Sequence, residues 1–319
     1  MVNISESIAF GPVPSRRLGH SLGINNIPPK ICTYSCIYCQ LGKTIKMQIQ
    51  RQQFYESEKI VNAVKNKVKK AKSKGESIDY LTFVPDGEPT LDSNLGKEIL
   101  DLKELGIRIA VITNASLLWE KDARDHLSNV DWVSLKIDTV DHAIWKKINK
   151  PHKSLRFERI LDGISEFSLS FKGGLTTETM LIKNVNDQIK NIEDTADYIK
   201  GLNPKKSYLS VPTRPPAEIE VKPTSETNLN IAYQVFTKHG IDTEYLIGYE
   251  GNNFGFTGDI EEDLLGIASV HPIRKDGVIE LLKKADRDWS VVDNLLHESK
   301  LMEVEYQNSK FYVRKFEQG

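Results

Sequence analysis

Three cysteines fall within eight residues, in the run Cys32-Thr-Tyr-Ser-Cys36-Ile-Tyr-Cys39, and no other thiol occurs in the 319-residue chain. So dense a group of soft donors limits what the segment can be. A disulfide framework draws on an even, dispersed set of cysteines in a secreted chain, and this set is odd and clustered. A structural zinc site takes four ligands, commonly from two separated pairs, and His20 is the nearest upstream candidate for a fourth. Thiolates are also the usual ligands of iron–sulfur clusters. Three of them at this spacing describe a cluster with one iron left open to an outside ligand. Spacing alone favours the cluster and leaves zinc as its rival.

With Tyr38 just before the last cysteine, this stretch resembles the radical SAM superfamily and its CxxxCxφC motif, φ being aromatic. The resemblance implies that Cys32, Cys36 and Cys39 hold three irons of a [4Fe–4S] cluster, that S-adenosyl-L-methionine (SAM) chelates the fourth, and that Tyr38 lies against the adenine. Two upstream runs, Gly11-Pro-Val-Pro-Ser-Arg-Arg-Leu-Gly19 and Ile27-Pro-Pro-Lys30, resemble an archaeal subgroup akin to the enzymes of wyosine (tRNA-base) synthesis.

The length accommodates one large domain and a small appendage, here residues 1–258 and 259–319. A hydrophobic share of 39 % supports a sizeable core, and a net charge of -1 gives no global field with which to attract nucleic acid. No apolar run approaches the ~20 residues of a membrane span, so no membrane partner is expected. Residues 1–8 lack the layout of a signal peptide. Free thiols holding a cluster also need a reducing compartment, which points to the cytoplasm.

Between residues 80 and 247, β-rich runs alternate with amphipathic ones. Strands are predicted at 80–84, 107–113, 132–137, 175–182, 207–211 and 243–247, and helices near 57–74, 95–105, 116–127, 155–167, 188–200 and 225–238. Continuous apolar strands between helices indicate an α/β fold with a parallel sheet. The resemblance implies the partial (β/α)6 radical SAM barrel, with Leu18–Asn25 as first strand and the site at the strands' C-terminal ends. Seven lysines between Lys59 and Lys74 read as the solvated face of the first helix. The run 248–258, with four glycines in eleven residues, reads as a mobile linker or a lid. Beyond it, helices at 275–285 and 288–297 and a hairpin around Gln307-Asn308-Ser309 resemble a winged helix. From His271 onward, nine basic and nine acidic residues balance, which favours packing or protein docking over DNA reading.

Asp86-Gly-Glu-Pro-Thr90 follows the first of these strands. Its glycine lets backbone approach a ligand, and Glu88 can accept from an ammonium group. It resembles the GGE motif that binds the SAM amino group, with Asp86 replacing the first glycine, so Gly87 and Glu88 are expected at the cofactor. Asn114 closes the next strand, and Ser134, Lys136 and Asp138 share one face of the following run. The resemblance implies SAM contacts for all four, with Lys136 on the carboxylate and Asp138 on a hydroxyl; Glu178, Met180 and Asn184 fit the strand after that. Arg214 suits either an anionic substrate or a surface acid.

The function implied is reductive cleavage of SAM, with an external one-electron reductant, to a 5′-deoxyadenosyl radical that takes hydrogen from a substrate. All three cysteines are committed to one cluster, which excludes a second cysteine-bound cluster and argues against the wyosine reaction itself. A tRNA base is the first substrate class to consider. The alternatives are an activating enzyme that places a radical on a partner protein or peptide, and a non-enzymatic, metal-dependent nucleic-acid-binding regulator.

Overall fold

The computed structural model describes residues 8–248 and 250–315. Residues 1–7 of the segment read for a leader, Tyr249 of the glycine-rich run and the last four residues lie outside them. Strands are β1 Ala9–Ser15, β2 Gly19–Ile24, β3 Ile31–Cys32, β4 Lys46–Met47, β5 Tyr80–Phe83, β6 Arg108–Thr113, β7 Trp132–Lys136, β8 Gly174–Met180, β9 Lys206–Ser210, β10 Thr243–Leu246, β11 Ile273–Arg274, β12 Leu301–Tyr306 and β13 Ser309–Arg314. Helices are α1 Ser57–Ser73, α2 Leu95–Lys103, α3 Lys121–Leu127, α4 His142–Asn149, α5 Phe157–Ser170, α6 Ile189–Leu202, α7 Glu226–Lys238, α8 Ile260–Ala268, α9 Lys275–Lys284 and α10 Ser290–His297.

Eight strands form one sheet in the order β1-β2-β5-β6-β7-β8-β9-β10. From β2 to β10 every pairing is parallel, and β1 adds an antiparallel edge. The sheet rolls: Leu18 ahead of β2 packs with Ala110 of β6, Trp132 of β7, Tyr208 of β9 and Leu246 of β10. Residues from both flanks of the sheet meet in that cluster, the inner filling of a partial barrel. The larger apolar cluster lies between the sheet and its helices, with Ile60, Val64 and Val68 of α1 against Leu22 and Ile24 of β2 and Leu81 and Phe83 of β5. Side-chain caps set several helix starts: Asp141 Oδ1 accepts from the Ile144 N–H of α4 at 2.8 Å, and Asp259 Oδ1 from the Glu261 and Glu262 N–H groups of α8 at 3.0 Å. Helices α4 and α8 and the edge strand β1 are additions to the elements read from the sequence.

Residues 260–315 run α8-β11-α9-α10-β12-β13, with sheet order β11-β13-β12. The turn at Gln307-Asn308 has φ of 47° and 58°, the handedness that two-residue hairpins favour. The apolar cluster of this module includes Phe10 and Val13 of β1 and Phe254. Gly23 makes this contact possible, because a Cβ there would sit 1.9 Å from the Phe10 ring. The glycine-rich run is no free linker. Phe254 is 1 % exposed, and the Gly255 N–H donates to the Pro12 carbonyl at 2.6 Å.

The lysine-rich face of α1 is solvated apart from Lys65, which is half-buried, and Lys67, which is buried. The Lys67 ammonium lies 2.7 Å from Asp263 Oδ1, 3.1 Å from Glu262 and 2.9 Å from the Thr257 hydroxyl, joining barrel to module. Removing one member strands the other's charge out of water, so Lys67→Met is expected to cost about 3–5 kcal/mol. Lys70→Met, at the exposed Lys70–Glu262 pair, should cost about 0–1 kcal/mol. Urea unfolding of the two variants checks the contrast.

Candidate active site

The cysteine loop leaves the end of β2 and crosses the mouth of the barrel. Cys32, Cys36 and Cys39 all line one cavity of about 310 Å³, together with Tyr38, Gly87, Glu88, Asn114 and Lys136. Four of the seven SAM contacts expected from sequence thus come from the ends of three different strands, β5, β6 and β7, and Tyr38 joins them from the loop.

Burial pushes all three thiols up, Cys36 to about 12, so they ionise only with a cation beside them. Two amide groups point at sulfur: Asn114 Nδ2 lies 3.5 Å from Cys32 Sγ and Asn149 Nδ2 lies 3.4 Å from Cys36 Sγ. Such hydrogen bonds tune cluster-bound thiolates. Among the described residues no three His, Cys, Asp or Glu groups are placed to share one metal ion. Three thiols lining one cavity, two of them with amide donors on sulfur, are a donor set of the kind that holds an iron–sulfur cluster. The residues present fit an iron–sulfur cluster.

The loop after β5 is fixed against the cysteine loop. The Lys30 N–H donates to the Asp86 carbonyl at 2.8 Å, the Glu88 N–H to the Ile31 carbonyl at 3.3 Å, and the Lys30 ammonium lies 3.1 Å from Asp86. A Cβ at Gly87 would fall 1.9 Å from the Ile31 carbonyl oxygen, so only glycine permits this approach. Glu88, 1 % exposed, accepts from the Thr90 N–H and hydroxyl, the Thr113 hydroxyl at 2.6 Å and the Asn114 N–H at 2.8 Å. Burial raises its carboxyl and these donors oppose the rise.

Lys136 and Glu178 are register partners on β7 and β8, with their charged ends 2.7 Å apart. Arg17, in the β1–β2 turn, reaches Glu178 at 2.6 Å, and the Ser210 hydroxyl donates to it at 2.9 Å. Burial alone would raise the Glu178 carboxyl, but Lys136 and Arg17 outweigh it and hold the group well below the carboxylate range. Ser134 and Asp138 lie behind the cavity wall. Ser134, 1 % exposed, accepts from Arg17 at 3.4 Å. Strand β7 ends at Lys136, so the two-residue alternation stops before Asp138. That carboxylate accepts instead from the Tyr38 hydroxyl at 2.5 Å, Asn149 Nδ2 at 2.9 Å and the Met180 N–H at 3.0 Å. Met180 lines the cavity, and the backbone N–H of exposed Asn184 donates to Asp187 Oδ1 at 2.9 Å in a turn.

Arg214 meets a half-buried acid rather than a surface one. It lies 2.9 Å from Glu250, donates to Gln40 at 2.9 Å and bonds His271 Nε2 at 3.1 Å. Burial, with Arg214 adding to it, takes His271 down to about 3, and because a guanidinium only donates, the neutral ring's Nε2 accepts from Arg214. Sequence reasoning does not single out Gln40, Asn149 and Glu250 as site residues, and Arg16 and Arg17 stand only inside the run 11–19 with no role attached; the folded chain is what brings them to the cysteines.

The radical SAM superfamily model matches residues 26–199, the span that carries the cysteines and the first polar strand ends. A UPF0026 protein of Methanocaldococcus jannaschii is 46 % identical over 97 % of this chain and 96 % of its own length. The chain belongs to the radical SAM superfamily and, within it, to the UPF0026 proteins. A radical SAM methyltransferase from Sphaerobacter thermophilus is similar in fold, with a TM-score of 0.53 and 15 % identity over 70 % of this chain and 66 % of that one. Archaeal TYW1 is similar only distantly, at a TM-score of 0.38 and 13 % identity over 92 % of this chain and 78 % of that one. Of the reading made from residues 11–19 and 27–30, the superfamily stands, and the relative matched along nearly its whole length is a UPF0026 protein. Membership supports an enzyme of SAM-dependent radical chemistry. Among the described residues no helix is long and apolar enough to cross a membrane.

Glu178→Gln is expected to leave Lys136 and Arg17 short of countercharge and to lower stability by about 3 kcal/mol at neutral pH. Because the folded carboxyl titrates below its unfolded value of about 4.3, the stabilisation is complete above that pH and fades as pH falls below it. Urea midpoints of wild type and variant should stay apart from pH 8 to 5 and converge towards pH 3.

Proposed function

We propose that this chain is a single-cluster radical SAM enzyme whose Cys32, Cys36 and Cys39 hold a [4Fe–4S] cluster with SAM on its open iron. The observation that carries the reading is the convergence of the three thiols, Gly87-Glu88, Asn114 and Lys136 on one cavity. When bound, the cluster and SAM supply a reductive cleavage to methionine and a 5′-deoxyadenosyl radical, with the electron from an external reductant.

The protein's part is orientation and exclusion of solvent. Glu88 spends its oxygens on Thr90, Thr113 and Asn114, so its role is to position Gly87 and Asn114, with backbone around Gly87 taking the SAM ammonium. Lys136 takes the SAM carboxylate in exchange for part of its pairing with Glu178. Tyr38, its hydroxyl pinned by Asp138, offers a ring face to the adenine, and the Lys136 ammonium sits 5.0 Å above that ring. Ser134 and Asp138 act through Arg17 and Tyr38 as positioning residues. The module of residues 259–319, winged-helix-like in its element order, recruits or encloses the substrate.

The test is anaerobic. Reconstituted protein, reduced with dithionite and given SAM, should release 5′-deoxyadenosine, and Cys36→Ala should abolish both the cluster's absorbance and this product. Near-normal product from Cys36→Ala would defeat the assignment. Lys136→Ala should keep wild-type iron content and bind SAM roughly tenfold or more weakly, as expected when a charge-assisted pair is lost. Equal affinity would remove Lys136 from the cofactor site.

A further inference from the structure

The charges around the cavity are unevenly matched. Near the cysteines Lys30 faces Asp86, and uncharged donors satisfy Glu88. The β1–β2 turn and the ends of β7 to β10 bring four cations, Arg16, Arg17, Lys136 and Arg214, to two carboxylates, Glu178 and Glu250. Glu178 is shared by Lys136 and Arg17, and Glu250 is taken by Arg214. Arg16 is the cation left over. It is exposed, donates to the Ile247 carbonyl and, among the described residues, makes no close ion pair, with Glu250 and Glu178 acting on it only at longer range. SAM does not redress this, since its sulfonium adds positive charge beside a zwitterionic end. An excess of guanidinium on one wall of a half-enclosed cavity draws an anion, because field lines concentrate where low-dielectric walls exclude water.

A second cavity of about 250 Å³ adjoins the first, and the two share the strap 211–214. Gly248, next to the carbonyl that Arg16 holds, lines it, as do Arg214 and Arg274, whose carboxylate partners Glu250 and Asp276, at 2.9 and 3.2 Å, stand outside its walls. Its far side is the β12–β13 hairpin, tied to the strap by the Tyr306 hydroxyl donating to the Pro212 carbonyl at 3.2 Å. Apolar and aromatic walls with a few convergent polar groups are the usual make-up of a small-molecule site.

We propose that the substrate is an anion whose carboxylate or phosphate is held by Arg16 and Arg214 where the two cavities meet, with its remainder against the C-terminal hairpin. Guanidinium groups suit both oxyanions through paired, charge-assisted hydrogen bonds. The inference rests on the proposed radical chamber, but its test does not depend on turnover.

The reconstituted full-length protein, kept anaerobic, is titrated by calorimetry with pyrophosphate and separately with malonate, and SAM affinity is measured in parallel. One of the two anions should bind, and the tighter one identifies phosphate or carboxylate as the recognised group. Arg16→Gln should weaken that anion roughly tenfold or more, Arg16→Lys should recover part of the loss, and Arg274→Gln should weaken it several-fold. No binding of either anion below about 10 mM, a free energy under about 3 kcal/mol, would overturn the proposal. So would wild-type affinity in Arg16→Gln, or a parallel loss of SAM affinity, which would assign Arg16 to the cofactor. Anion binding with these losses but without 5′-deoxyadenosine release would count against the radical reading and leave the anion site standing.

Discussion

Glu88 is a buried carboxylate on which the geometry of the whole site depends. Four donors from the loop after β5 and from the end of β6 surround it, while the backbone beside it pairs with the start of the cysteine loop. A charge so far from water is tolerated only with its oxygens satisfied. The fold is therefore committed to holding these two strand ends in one relative position. Asn114 is aimed at Cys32 as a consequence, and the cysteine loop is laid across the barrel mouth. On the other flank, Asp138 does comparable work with neutral partners, fixing Tyr38 and the Asn149 amide that reaches Cys36.

The parts of this arrangement legible in the sequence are those with local causes. The cysteine spacing, the strand-then-turn character of Tyr80–Thr90, and the apolar strands β6 and β7 are properties of short windows. Their boundaries lie within a few residues of the observed elements. Helix α4 was harder to read because its buried face is only Trp145, Ile148 and Asn149 among lysines, too short a stripe to stand out by period. Strand β1 is interrupted by two prolines, so its sequence stands out as a motif rather than as a strand. Its pairing with β2 and its burial under the C-terminal module come from distant sequence. Lys67 shows the same limit. It looks like its six lysine neighbours, and only α8, nearly two hundred residues later, makes it a buried ion.

The charged groups that complete the cavity are legible only in three dimensions. Arg17 precedes β2 yet pairs with Glu178 on β8, because the sheet rolls until its flanks meet around Leu18 and Tyr208. Arg214, Glu250 and His271 come from a strap, a glycine-rich run and the module, and they converge beside Gln40, one residue past Cys39. The sequence pattern offers these as scattered polar residues in loops. Topology turns them into one network bordering the cluster ligands.

The packing of Phe10 and Val13 into the C-terminal apolar cluster also bears on how the chain is made. Strand β1 is an edge strand, and an exposed apolar edge invites pairing with other chains. During synthesis its outer face waits, uncovered, until residues beyond Ile260 have emerged, since α8 is what lies over Phe10. Contacts between the two ends of a chain form late and make folding slow. The cover over the β1 edge is thus supplied by residues about 250 positions later in the chain, and a chain lacking them would leave that apolar edge open to other strands.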